Sequence, residues 1–73
     1  MSNQQVDSLI RMINQIAANN AHHDTDEEAA EAVAGHLNKF WALSMRRDLV
    51  QYAQTDGADL SPLSRMAVTR LRV

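Results

Sequence analysis

The stretch His36-Leu37-Asn38-Lys39-Phe40-Trp41-Ala42-Leu43-Ser44-Met45-Arg46-Arg47, HLNKFWALSMRR, decides how many helices this chain contains. Upstream, Ala29, Ala30, Val33, Leu37 and Phe40 recur at helical spacing, and downstream Met45, Leu49, Tyr52 and Ala53 do so again. Either one helix runs on through Leu43 with a bend, or it stops and Ser44 caps a new one; the N-cap preference of serine favours the break. The same stretch poses a packing problem, because the chain has three aromatic residues and two of them are adjacent. Neighbours on a helix point about 100° apart, so Phe40 and Trp41 cannot both sit at the centre of one buried stripe. With Phe40 on the stripe, Trp41 falls at one edge and His36 at the other. From that edge the indole either covers a seam between helices or anchors a partner, since tryptophan, tyrosine and arginine dominate interface hot spots. Arg46 and Arg47 stand close enough to rim such a patch.

Toward the N-terminus, Val6, Leu9, Ile10, Ile13, Ile16 and Ala17 mark a first helix. Ser2 and Gln5 stand at capping-box spacing before it, and Asn19-Asn20 offers an asparagine for a left-handed cap after it. Met12 lies about 100° from the centre of that stripe and is a second candidate for an outward apolar contact. The polar break AHHDTD follows, in which Thr25 and Glu28 repeat the capping-box spacing. Asp26, Glu27 and Glu28 crowd the first turn, where the helix dipole favours acids, so the second helix starts near residue 26. Beyond the central stretch, TDGAD at 55–59 is a turn with Gly57 placed to close the preceding helix. Ser61-Pro62 then gives an N-cap with proline at the first helical position, opening a last helix that carries Leu63, Met66, Ala67 and Leu71. Short connections favour antiparallel packing of neighbours. The expected architecture is all-α, a small bundle of three to four short antiparallel helices forming a single domain over residues 1–73.

A chain of 73 residues sits near the lower limit for independent folding; its core is expected to supply about 3–5 kcal/mol of net stability. There is no cysteine, which excludes disulfides and thiolate metal sites. The start MSNQQVDS lacks a basic and then apolar leader, and no apolar run approaches a bilayer's thickness, so a cytoplasmic protein without a membrane partner is expected. The net charge of −2 hides an asymmetry. Asp7, Asp24, Asp26, Glu27, Glu28 and Glu31 face Arg11 alone in residues 1–36, whereas Lys39, Arg46, Arg47, Arg65, Arg70 and Arg72 outnumber Asp48, Asp56 and Asp59 in the remainder. The halves either neutralise one another or present opposite faces to a partner.

No catalytic, cofactor-binding or metal-binding motif is present. GxGxxG, the P-loop, HExxH and GxSxG are all missing, and Gly35 and Gly57, the only glycines, are too far apart for a phosphate cradle. His22-His23-Asp24-Thr25-Asp26 brings metal-capable residues together, but adjacent histidines are expected to diverge, and a site needs three or four converging ligands. His36 reads as an edge residue rather than a general base. Arg65, Arg70 and Arg72 near the C-terminus raise the alternative of a small helical DNA-binding or regulatory module; three arginines on a net-acidic chain are a thin footprint for a nucleic-acid partner. A spare apolar patch on a marginal core also suits a homodimer.

RMINQIAANNA (11–21), AVAGHLNKFW (32–41), MRRDL (45–49) and LSPLSRMAV (60–68) resemble, in order and spacing, the delta subunit of NAD-dependent formate dehydrogenase, the small accessory chain of the soluble molybdenum or tungsten enzymes. The most specific matches are Arg11, Met12, Asn14, Gln15, Ile16 and Ala17 in the first motif, and His36, Leu37, Phe40 and Trp41 in the second. Where family members commonly read Pro-Arg-Met-Arg shortly after the tryptophan, Leu43 and Ser44 replace the first pair while Met45 and Arg46 agree. The resemblance implies a non-catalytic accessory subunit that binds and stabilises the larger subunits or helps assemble them. Bis-molybdopterin guanine dinucleotide with Mo or W, iron–sulfur clusters, FMN and NAD would then lie on those subunits and none on this chain. Carried over by position, Arg11, Met12, Asn14, Gln15, His36, Trp41, Met45 and Arg46 are the candidate partner-binding residues.

Overall fold

The computed structural model describes residues 4–73, and within them the chain forms four α-helices. These are α1 (Gln4–Asn19), α2 (Asp26–Phe40), α3 (Leu43–Thr55) and α4 (Pro62–Val68). The Ser2 half of the expected capping box lies outside the described residues. The α1 stripe folds as its spacing dictates, with Leu9, Ile10, Ile13 and Ala17 buried and Val6 and Ile16 packed at their margin. That helix does not end in a left-handed asparagine, since no described non-glycine residue has positive φ. Instead the Asn20 side-chain amide donates to the Ile16 carbonyl at 2.9 Å, satisfying a C-terminal acceptor from a right-handed backbone.

Local chemistry sets the other ends. The Thr25 hydroxyl accepts from the Glu28 N–H at 3.1 Å at the start of α2, and the Ser61 hydroxyl accepts from the Ser64 N–H at 3.2 Å at the start of α4. The α2–α3 break exists, but it falls earlier than a Ser44 cap requires. Trp41 and Ala42 are both extended, Ala42 occupies the N-cap position without a side-chain bond, and Ser44 lies inside the first turn of α3. The last helix also stops short, at Val68, leaving Leu71 to reach the core from the turn beyond it.

Gly57 closes the turn after α3 with φ of 68°, the one positive φ among the described residues. A Cβ there would stand 3.1 Å from the Ala53 carbonyl oxygen. Gly57→Ala is therefore expected to cost about 1–2 kcal/mol through left-handed backbone strain alone. Urea unfolding checks this, and an unchanged midpoint would contradict it.

Side chains from all four helices meet in one hydrophobic cluster, with Ile13, Val33, Leu37 and Leu49 fully enclosed. The principal helix pair is α2 with α4, and α3 lies against α1 and α4. Although only two residues separate them, α2 and α3 barely touch. An extended dipeptide sends α3 away from α2 rather than folding it back alongside, so the rule that short connections pair neighbours lapses at this corner. The resulting body measures 39 × 22 × 18 Å.

Candidate partner-binding surface

At the α2–α3 corner the two adjacent rings take the reverse of their expected places. Trp41 is 8% exposed and belongs to the core cluster, whereas Phe40 is 67% exposed. The reason lies in where the buried line of α2 runs. It passes through Ala30, Ala34 and Leu37, and Trp41 continues it four residues on, its N–H still bonded to the Leu37 carbonyl at 2.9 Å although its backbone, with φ −89° and ψ 141°, is already extended; Phe40, the last residue of α2, lies on the exposed side with His36, four residues before it. The edge position expected for Trp41 is thus corrected to a core position. Phe40 instead stands outside, with the His36 ring tilted against it at a centroid distance of 4.9 Å and the Lys39 ammonium 5.6 Å from its centroid. Leu43, 40% exposed, opens α3 three residues later.

The remaining candidates divide by role. Arg46 donates from Nη1 to the Asn38 carbonyl at 2.6 Å, placing a cation on the C-terminal end of α2, where the helix dipole favours it. Met45 is half-buried against the core. Asn14 is engaged inside the molecule at both ends of its amide. Its oxygen accepts from the Ser61 N–H at 3.0 Å and from the Ser64 hydroxyl at 2.7 Å, and its nitrogen donates to the Asp59 carbonyl at 2.9 Å. Arg11, Met12 and Gln15 are exposed on α1, where with Ser8 and Ile16 they line a shallow depression of about 550 Å³. Among the described residues no hydrogen bond or ring contact joins this α1 ledge to the His36–Phe40 corner.

His22 and His23 do not diverge. In the loop their rings stack at 4.6 Å, with His22 Nδ1 3.1 Å from the Asn19 carbonyl and His23 Nε2 3.4 Å from Asn20 Oδ1. Among the described residues, no three His, Asp or Glu side chains converge as a metal site would need. Two of the three C-terminal arginines are already engaged. Arg65 Nε donates to the Leu60 carbonyl at 3.4 Å, and Arg70 pairs with Glu31 at 2.9 Å while donating to the Met66 carbonyl. The Arg70–Glu31 pair ties the basic half of the chain to the acidic half. No helix among the described residues is long and apolar enough to cross a membrane.

An all-helical chain with an exposed aromatic at one corner is a common arrangement, and the family model narrows it. The model for the NADH-dependent formate dehydrogenase delta subunit, FdsD, matches residues 8–68. The chain belongs to the FdsD family. No match was found among curated proteins or solved structures.

All eight candidate residues fall inside the FdsD match, and so do Phe40, Lys39 and Leu43. Those three are exposed at the corner and were not among the candidates drawn from the sequence. The adjacency of Phe40 and Trp41 did signal that one ring must face outward. Which one was hidden, because Ala34, which carries the buried line from Ala30 through Leu37 to Trp41, was not counted on the stripe.

Proposed function

We propose that this chain is a non-catalytic accessory subunit of a formate dehydrogenase, binding the larger redox subunits to stabilise or help assemble them. The observation that carries the reading is the family match over residues 8–68. The exposed Phe40, braced by His36 and Lys39, supports it by supplying an apolar anchor with a cationic rim, and Arg11, Met12 and Gln15 on α1 offer a second contact. On this reading the molybdenum or tungsten centre, the iron–sulfur clusters, FMN and the NAD site belong to the partner subunits, and the chain acts in the compartment where they do, the cytoplasm.

Co-purification of the tagged chain with the other formate dehydrogenase subunits tests the proposal. Phe40→Asp is expected to weaken that association at least tenfold, as loss of a hot-spot aromatic does. Its stability should fall by no more than about 1 kcal/mol, the cost of an acid at the C-terminal end of a helix. Binding of duplex DNA that falls steeply with salt, without association with those subunits, would replace this reading with the nucleic-acid one.

A further inference from the structure

Gly35 is exposed and falls well inside α2, yet nothing in this chain calls for a glycine there. A Cβ built on it meets no atom within 4 Å, and its φ is not positive. Glycine is the residue least suited to a helix interior after proline, so the position carries a cost with no return in the chain's own packing. What its bare backbone does provide is clearance for close approach from outside.

The surroundings say what could approach. Gly35 borders a groove of about 520 Å³ between α2 and the residues after α4, lined also by Asn38, Lys39, Arg70 and Arg72. The Asn38 amide fixes the far wall. It accepts from the Arg72 N–H at 2.8 Å and donates to the Arg70 carbonyl at 3.3 Å, holding residues 70–72 beside the helix. Three cations thus border the groove against one carboxylate, Glu31, which Arg70 already engages. Among the described residues neither Lys39 nor Arg72 forms an ion pair. A long polyanion such as nucleic acid fits poorly, because Asp26, Glu27 and Glu28 lie further along the same helix. A short carboxylate-bearing segment needs only the cationic end.

We infer that this groove receives an acidic segment of the partner protein, laid across Gly35 with its carboxylates paired to Arg72 and Lys39. The inference rests on the accessory-subunit reading and extends it by naming the chemistry of the partner surface. It is tested by titrating the full-length chain against the purified remaining subunits of the formate dehydrogenase. Gly35→Gln is expected to raise Tm by about 2–6 °C through helix propensity while lowering affinity at least tenfold. Arg72→Glu is expected to leave Tm unchanged, lower affinity at least tenfold and flatten the dependence of binding on salt. Wild-type affinity in either variant, with the wild-type chain binding, overturns the groove assignment and leaves the subunit reading standing. No binding by the wild-type chain overturns both.

Discussion

Replacing Trp41 with alanine is expected to abolish the cooperative thermal transition of the isolated chain at room temperature. The indole is 8% exposed within a cluster that draws on all four helices. Truncating a buried tryptophan costs about 3–5 kcal/mol, which combines lost transfer energy with the cavity left behind. A core of this size is expected to supply about as much in total, so the loss and the reserve are comparable. Phe40→Ala, one residue earlier, removes a ring that is 67% exposed and is expected to leave the transition within about 0.5 kcal/mol of wild type. Circular dichroism melts of the pair read the contrast directly. In the wild type, fluorescence from the single tryptophan should shift to longer wavelength as the core opens. Retention of a sharp melt by Trp41→Ala would remove the indole from the core. Equal losses in both variants would mean that Phe40 is packed as deeply as Trp41.

That contrast also marks where sequence reading succeeds and where it fails. The stripe of α1 was legible because every residue on it stays within one regular helix, so angular position follows from number. The Thr25 and Ser61 caps were legible because each acceptor lies three residues before the N–H it satisfies. Phe40 and Trp41 were exchanged because the stripe was drawn through Val33, Leu37 and Phe40, whereas the buried line runs through Ala30, Ala34, Leu37 and Trp41. Nor does a glycine or proline mark the end of α2; it shows only in the extended backbone of Trp41 and Ala42. Ser64 was hidden for a different reason. A serine on a helix reads as solvent-facing, yet this one has no exposed surface, and its partner Asn14 stands fifty positions away. Pairings at that separation leave no periodic trace.

The exchange also moves the candidate surface. An anchor placed on Trp41 has its ring inside the protein, so the outward face is better represented by Phe40, His36 and Lys39. The α1 motif divides in the same way. Arg11, Met12 and Gln15 remain on the surface, while Asn14 between them is turned toward the α3–α4 turn and the start of α4. A motif defined by order along the chain thus contains two kinds of residue, some available to a neighbour and some fixing the geometry that presents them.

Asn14→Ala separates these kinds and is expected to destabilise the chain by about 2–4 kcal/mol. The substitution removes three hydrogen bonds, each worth about 1 kcal/mol net, and leaves the fully buried Ser64 hydroxyl with the Ser61 hydroxyl, 2.9 Å away, as its remaining side-chain partner. Asn14→Asp keeps an acceptor for the Ser61 N–H and the Ser64 hydroxyl but sets a carboxylate oxygen against the Asp59 carbonyl, so it should recover only part of the loss. Ser64→Ala combined with Asn14→Ala should cost less than the sum of the two single changes, by about 0.5–3 kcal/mol, because both single changes remove the same Ser64–Asn14 hydrogen bond, which the double change loses only once. Urea denaturation of the four proteins supplies the cycle. Additive losses would show that Asn14 and Ser64 act independently. Coupling would establish that Asn14 locks α1 to α4 through Ser64.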